Sequence, residues 1–148
     1  MTTDIAGLSE LVGVHLGYTD WRVMSQERVN QFADATDDHQ FIHVDPERAK
    51  DTPFGGTIAH GFLTLSLIAS VGQQLLRLRD AKMAINYGLD RVRFPAPLPV
   101  GAEWRVGAEI SQVDEIKGGA QIKMLVTVEV KGSEKPAAVA ESLSRVYR

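Results

Sequence analysis

The sequence contains no cysteine. This absence excludes disulfides, thiolate metal sites and cysteine nucleophiles, and it fits a reducing compartment. No stretch approaches the roughly 18 uninterrupted apolar residues of a membrane span, and the first residues lack a basic segment followed by an apolar run. We therefore expect a cytoplasmic protein with no membrane span, whose stability comes from packing or oligomerisation.

The chain also lacks an excess of positive charge. It has 16 Lys and Arg against 19 Asp and Glu, interspersed, for a net charge of −3. Nucleic-acid binding needs a broad basic face, so this class of partner is not expected. What is present is the composition of an ordinary globular protein, with 44% hydrophobic residues in 148. That length predicts one domain over residues 1–148 with a single core.

Capping signals predict two helices in the first third of the chain. An extended segment over residues 14–24 ends at Ser25, a good N-cap for a helix that begins at residue 26 and ends near residue 36. Asp45 followed by Pro46 is an N-cap with proline at the first helical position, which predicts a second, short helix. The intervening residues, 37–44, are expected to form a loop held between the two helices.

The rest of the chain predicts one long helix and a sheet. Residues 60–78 are apolar around most of a helical circumference, which is typical of a largely buried helix. Four later segments have strand character, and two alternate clearly between apolar and polar residues: 84–94, 103–113, 120–131 and 137–147. This order predicts an α+β fold in which a curled antiparallel sheet wraps around a central helix.

The loop over residues 37–44 is the best candidate for a site, because it concentrates ionisable side chains beside apolar ones. Asp38 and His43 are five residues apart, and in a bent loop an acid and an imidazole can converge on one water. The alternatives are a turn-capping role for Asp38 and a core position for His43. His39 is a weaker candidate because its neighbours are polar.

Two other patterns bear on the chemistry. Asp38, His39, His43 and His60 offer metal ligands, but their spacing matches no metal-binding motif, so no metal is expected. Gly55, Gly56 and Gly61 suggest a place where a ligand approaches backbone N–H groups at the start of the long helix, where a thioester oxyanion could bind. Tight packing is the alternative for these glycines.

The chain contains three characteristic segments in order: residues 32–46, residues 54–63, and residues 86–88 with 92–97. Together they resemble the MaoC-like or (R)-specific enoyl-CoA hydratase family, also called hydratase 2, and within it the NodN-like branch. The resemblance covers most of the chain. The family motif Asp-x-Asn-Pro-x-His falls on Asp38 and His43 with its spacing intact. Gln40 stands where Asn is usual and Phe41 where Pro is usual, which bears on the loop shape and the substrate pocket.

The resemblance implies a hot-dog fold and a homodimer whose acyl tunnel lies near the subunit interface. It also implies that Asp38 and His43 form a catalytic dyad, with no cofactor. The expected oxyanion and substrate contacts are Gly61, Gly56 and Phe41, together with Ser66, which resembles a position that supports the catalytic loop. An ordinary bond from Ser66 to the helix backbone is the alternative.

The implied function is (R)-specific hydration of trans-2-enoyl-CoA, or the reverse dehydration, in fatty-acid or polyhydroxyalkanoate metabolism. The substrate partner is an acyl-CoA or an acyl-carrier-protein thioester. Arg91, Arg93 and Lys82 are candidates for the CoA phosphates, although arginine on a strand is more often a solvated face. The rival functions are a hot-dog thioesterase and a non-catalytic acyl-thioester binding module.

Overall fold

The computed structural model describes the backbone of residues 1–148 and the side chains of all of them except Gln73. Its α-helices, in chain order, are α1 (Gln26–Thr36), α2 (Phe41–Val44), α3 (Pro46–Ala49), α4 (Gly61–Ser66) and α5 (Val71–Gln74). Its strands are β1 (Thr2–Thr3), β2 (His15–Tyr18), β3 (Arg22–Val23), β4 (Arg77–Leu78), β5 (Met83–Arg93), β6 (Glu103–Ile116), β7 (Gly119–Val130) and β8 (Ala138–Tyr147). No helix among the described residues has the length and apolar character that crossing a membrane requires.

Both predicted helix starts are confirmed. The Ser25 side chain accepts a hydrogen bond from the backbone N–H of Arg28, and α1 ends where Asp37 adopts a left-handed conformation with φ 59°. The Asp45 side chain caps α3 in the same way, by accepting from the N–H of Arg48. The connection between these helices is not the simple loop that the sequence predicts, because four of its residues form α2.

Strands β5 to β8 are antiparallel to their neighbours and form a sheet with the order β2-β6-β7-β8-β5, in which β3 also pairs with β6. The predicted extended segment over residues 14–24 is thus two short strands, both on β6. The predicted alternation in β6 and β7 is confirmed, since these side chains are all buried: Trp104, Val106, Ala108, Ile110, Ile122, Met124, Val126, Val128 and Val130. One face of the sheet therefore covers the core.

The long helix predicted over residues 60–78 is shorter and broken. After α4 the backbone tightens into a 3-10 helix at Leu67–Ser70 and continues as α5. The predicted helical range ends in a short strand, β4, which pairs in parallel with β1. Two hydroxyls contribute to the tightening, because Ser66 and Ser70 each donate to the carbonyl three residues earlier, at 2.7 Å. Such side-chain bonds compete with the regular α-helical pattern.

The helical segment packs across the sheet, as predicted, but it is not buried all round. Leu63, Leu67, Val71 and Leu75 belong to the core together with side chains from β6 and β7. Phe62, by contrast, is 74% exposed in a single chain, and Ser66 is exposed on the same side. The architecture is the expected α+β hot-dog arrangement, with an uncovered side on its central helix.

Candidate active site

Asp38 lies two residues after the end of α1, and His43 lies in α2, yet their side chains come close together. One side-chain nitrogen or oxygen atom from each of Asp38, His43 and His60 lies within 4.8 Å of the others. The Asp38 side chain is half exposed, whereas His43 is only 6% exposed. A water that hydrogen-bonds two groups at about 2.8 Å each spans a gap of up to about 5.6 Å. The separation therefore suits one water held between carboxylate and imidazole.

His43 is held in one orientation by the segment before α4. Its Nδ1 lies 2.7 Å from the Ile58 carbonyl oxygen, which only accepts hydrogen bonds, so Nδ1 carries a proton and donates it. Nε2 then presents a lone pair when the ring is neutral. Burial lowers the pKa of His43, and the nearby His60 acts in the same direction, against the Ile58 carbonyl and Asp38. The neutral ring, with a basic Nε2, is thereby favoured.

The side chain of Gln26, in α1, forms hydrogen bonds with two other segments of the site. Its side-chain amide donates to the backbone carbonyl of His43 at 2.7 Å, and its Oε1 accepts from the Thr57 hydroxyl at 2.6 Å. These bonds join the first helix, α2 and the segment that precedes α4. Nothing in the local sequence pattern distinguishes Gln26 from any polar residue in the first turn of a helix.

His60 is part of this cluster, although the sequence pointed to it only as a possible metal ligand. It is 2% exposed, and its ring stacks on that of His43 with centroids 3.8 Å apart and 24° between the planes. Its Nε2 lies 2.9 Å from the backbone carbonyl oxygen of Asp38. Its Nδ1 is buried and has no hydrogen-bond partner among the side chains and backbone that the structure describes.

The stacking bears on whether the cluster is a metal site. Ring-nitrogen lone pairs lie in the plane of the imidazole, so two nearly parallel stacked rings aim them side by side rather than at one point. One nitrogen of each ring is also engaged by a backbone carbonyl. The arrangement fits two hydrogen-bonded imidazoles beside a carboxylate better than it fits a tetrahedral metal centre.

Gly61 is the first residue of α4, directly after His60, so its backbone N–H has no partner within the helix. A Cβ at this position would lie 3.2 Å from the Phe94 ring, which is tight. At six residues, α4 is shorter than predicted and its dipole is correspondingly small. The N–H itself, rather than the helix dipole, is thus the feature that an oxyanion can use.

The remaining predicted site residues of this region are placed as follows. Gly56 lies two residues before Ile58, and a Cβ there would meet open space. Phe41 begins α2, is half-buried, and has the guanidinium of Arg48 4.2 Å above its ring. The Ser66 hydroxyl donates to the Leu63 carbonyl. That bond is the helix-backbone alternative to the predicted support for the catalytic loop. His39 is exposed and pairs with Asp34 at 2.8 Å.

The three basic residues predicted at the CoA phosphates do not lie together. Arg91 and Arg93 are exposed near the C-terminal end of β5, and Arg93 immediately precedes the Phe94 ring that lies against Gly61. Lys82 precedes the other end of β5. Nine residues of strand span about 30 Å, so Lys82 cannot share a phosphate group with Arg91 in the same chain. Lys82 instead lines a cavity of about 520 Å³ between α5, β5 and β8.

The family described as MaoC like domain matches residues 9–134. The chain belongs to the MaoC-like family. The 3-hydroxyacyl-thioester dehydratase Z of Mycobacterium tuberculosis is 51% identical to it over 142 residues, which cover 95% of this chain and 94% of that protein. Nodulation protein N of Rhizobium meliloti is 46% identical over 141 residues, covering 92% and 86% of the two chains.

Solved structures of MaoC-like proteins agree in fold. The (R)-hydratase from A. caviae involved in PHA biosynthesis superposes with a TM-score of 0.75 at 27% identity, covering 90% of this chain and 94% of that one. The MaoC-like resemblance and the hot-dog fold predicted from the sequence are confirmed. The predicted reaction class is confirmed as well, and the chain is an enzyme of the hydratase/dehydratase class.

Proposed function

We propose that this MaoC-like enzyme adds water to trans-2-enoyl-CoA to give (3R)-hydroxyacyl-CoA, and that it catalyses the reverse dehydration with the same groups. The observation that carries the proposal is the convergence of the Asp38 carboxylate and a buried, tautomer-fixed His43 within 4.8 Å. Support for the substrate class comes from the relatives, which are named as a 3-hydroxyacyl-thioester dehydratase and an (R)-hydratase.

In the proposed mechanism, a single base performs both proton transfers. The water held between the two side chains gives one proton to His43 Nε2 while its oxygen bonds to C3, and Asp38 accepts a hydrogen bond from the other proton. The π electrons move toward the thioester as an enolate. Protonated His43 then returns its proton to C2 on the same face, which regenerates the neutral ring.

Charge develops on the thioester oxygen during this addition, and the Gly61 N–H is the proposed donor to it. A preorganised backbone N–H does not have to reorient when the oxyanion forms. Losing one such donor lowers the rate by about 10²–10³-fold. The absence of a side chain at Gly61 suits close approach of the thioester, because the Phe94 ring already lies against this position.

The proposed carrier is CoA, with Arg93 and Arg91 at its phosphates. These residues lie at the end of β5 that adjoins Gly61, where a thioester bound at the N–H would direct its carrier. Lys82 is too far along the strand to take part in the same contact.

An acyl-carrier-protein thioester is the other proposed carrier, since its phosphopantetheine has the same reactive end. The acyl chain would belong to fatty-acid or polyhydroxyalkanoate metabolism.

We further propose that the enzyme works as a homodimer. Strand β5 is an edge of the sheet, with its other side unpaired in a single chain, and apolar side chains along it are exposed: Met83, Ile85, Tyr87 and Leu89. Phe62 on α4 is exposed as well. A long apolar edge strand is an aggregation hazard unless another chain covers it. A second copy that covers β5 and α4 would bury these side chains.

The proposal is tested by incubating the purified enzyme with crotonyl-CoA and a medium-chain enoyl-CoA, and by analysing the product. Formation of the (3R)-hydroxyacyl-CoA without release of free thiol is the expected result. Release of CoA from a saturated acyl-CoA would instead indicate the hot-dog thioesterase. Tight binding without turnover, unaltered by Asp38→Asn, would indicate a non-catalytic binding module.

A further inference from the structure

His60 touches each of the parts that the proposed reaction needs. Its Nε2 faces the backbone carbonyl of Asp38 at 2.9 Å, its ring stacks on His43, and its own backbone leads directly into Gly61. A carbonyl oxygen accepts but does not donate, so the contact with Asp38 requires a proton on Nε2. The same buried side chain therefore connects both members of the dyad to the oxyanion donor.

We propose that His60 is a positioning residue, which fixes the Asp38 loop relative to His43 and Gly61 through the hydrogen bond from its Nε2. This inference rests on the hydration reaction proposed above and adds a residue to its machinery. His60 acts through the residues it holds and makes no proposed contact with the reacting atoms.

Asp38 needs such a constraint because little else holds it. The Asp38 side chain is half exposed, and the backbone N–H of Gln40 donates to its Oδ1 at a long 3.4 Å. The preceding residue, Asp37, is in a left-handed conformation at the end of α1, so no helical hydrogen bonding continues through the segment. The bond from the buried His60 ring to the Asp38 carbonyl is shorter, at 2.9 Å, and it fixes the backbone that aims the carboxylate.

His60 is itself firmly held, as a positioning residue must be. Its ring stacks on that of His43 and makes a tilted contact with that of Phe32, with centroids 3.8 Å and 4.9 Å away. Its carbonyl accepts hydrogen bonds from both the backbone N–H and the hydroxyl of Thr64, at 3.0 Å and 3.1 Å. The imidazole is thus held by two aromatic neighbours and by its own backbone, and its Nε2 faces the Asp38 carbonyl.

The test separates the hydrogen bond from the ring. In His60→Gln the side-chain amide nitrogen can replace Nε2 as a donor to Asp38, whereas His60→Phe keeps a flat ring for stacking and removes the donor. We expect His60→Phe to lower kcat on enoyl-CoA by about 10²-fold with little change in KM, since small misplacements of catalytic groups have effects of this size. His60→Gln should recover most of that loss.

The matched controls are His15→Gln and His15→Phe. His15 is an exposed histidine on β2 that also contacts an aromatic ring, that of Tyr18, and its variants should leave kcat unchanged. Thermal unfolding of all four variants shows which of them are folded. If kcat of folded His60→Phe stays within about threefold of wild type, or if His60→Gln is as impaired as His60→Phe, the positioning role is wrong.

A direct readout does not depend on turnover. Long-range ¹H–¹⁵N NMR of the wild-type enzyme identifies which nitrogen of His60 is protonated, and the inference requires Nε2. A proton on Nδ1 alone would overturn it. Absence of enoyl-CoA turnover by the wild type would contradict the proposed function, and the NMR result would then still decide whether His60 holds the Asp38 carbonyl.

Discussion

The Nδ1–H of His43 donates to the backbone carbonyl of Ile58 at 2.7 Å, and this bond decides which nitrogen is left for chemistry. Ile58 is itself anchored, because its N–H donates to the carbonyl of Ile42. The segment that leads into α4 thus fixes the tautomer and the direction of His43. The proposed removal of a water proton by Nε2 depends on this relationship.

The pH dependence of the reaction should reflect the environment of His43. Burial, together with the proximity of His60, holds the pKa of His43 below its ordinary value of about 6.5. The ring therefore stays neutral and basic as pH falls past that value. We expect the acid limb of kcat/KM to lie below about pH 6.5. A limb above this value would contradict the assigned role of the buried ring.

The same shift predicts how stability varies with pH. In the window just below the ordinary pKa, the unfolded chain binds a proton at residue 43 that the folded chain does not. The contribution of His43 to the free energy of unfolding should therefore be fully present above about pH 6.5, and it should be lost as pH decreases through this window. Urea unfolding between about pH 7.5 and about pH 5.5 measures the slope. In His43→Gln the contribution should disappear, and an unchanged slope would show that His43 is not its source.

Replacing Gly61 by proline and by alanine isolates the proposed oxyanion donor. Proline is well tolerated at the first position of a helix, and His60 already has the extended conformation, φ −58° and ψ 143°, that precedes proline. Gly61→Pro removes the N–H, whereas Gly61→Ala keeps it and adds a Cβ near Phe94. We expect kcat of the proline variant to be about 10²–10³-fold below that of the alanine variant.

Equal kcat values for the two Gly61 variants would show that the N–H does not bind the thioester oxygen. Adding Phe94→Leu to Gly61→Ala separates the remaining steric effect. If crowding by the Phe94 ring limits the alanine variant, this double variant should recover activity.

The Gln26 side chain should contribute more to stability than its place in the first turn of α1 suggests. Gln26→Leu leaves the His43 carbonyl and the Thr57 hydroxyl without their partner. We expect the free energy of unfolding to fall by about 1–3 kcal/mol. Gln31→Leu, at an exposed position of the same helix, is the matched control and should change it by less than about 0.5 kcal/mol. Equal effects in urea unfolding would contradict the role of Gln26.

The exposed Phe62 provides a test of the proposed dimer. A glutamate at this position should weaken association of two chains, because a charge would be buried in the interface without a partner. Light scattering coupled to size exclusion should show a larger monomer fraction for Phe62→Glu. Val23→Glu, at another exposed apolar residue on β3, should remain dimeric. A wild-type monomer would refute the proposed assembly outright.

Much of the fold follows from local sequence signals. The caps at Ser25 and Asp45 and the alternation that begins at Trp104 are correct because each depends on residues only a few positions apart. The break after α4 was missed because apolar periodicity continues through it. The hydroxyls of Ser66 and Ser70, which bond back to the helix, contribute to this break.

The candidate site divides in the same way. The spacing of Asp38 and His43 suggested the dyad, and family resemblance gave it a role. The bonds from Gln26 to His43 and from His60 to Asp38 join residues 17 and 22 positions apart, and stacking of two histidines leaves no periodic trace. Contacts of this kind depend on the tertiary structure, so local patterns cannot predict them.

The central claim is that Asp38 and His43 together catalyse addition of water. Loss of the conjugated enoyl-thioester absorbance, followed for wild type, Asp38→Asn and His43→Ala with crotonyl-CoA and a medium-chain enoyl-CoA, tests it most directly. Asp37→Asn, which keeps a residue that tolerates the left-handed conformation, and His39→Ala are the matched controls. The account predicts turnover by wild type and both controls, and losses of about 10²–10⁴ in the folded dyad variants. No wild-type turnover, or dyad variants as active as the controls, would contradict it.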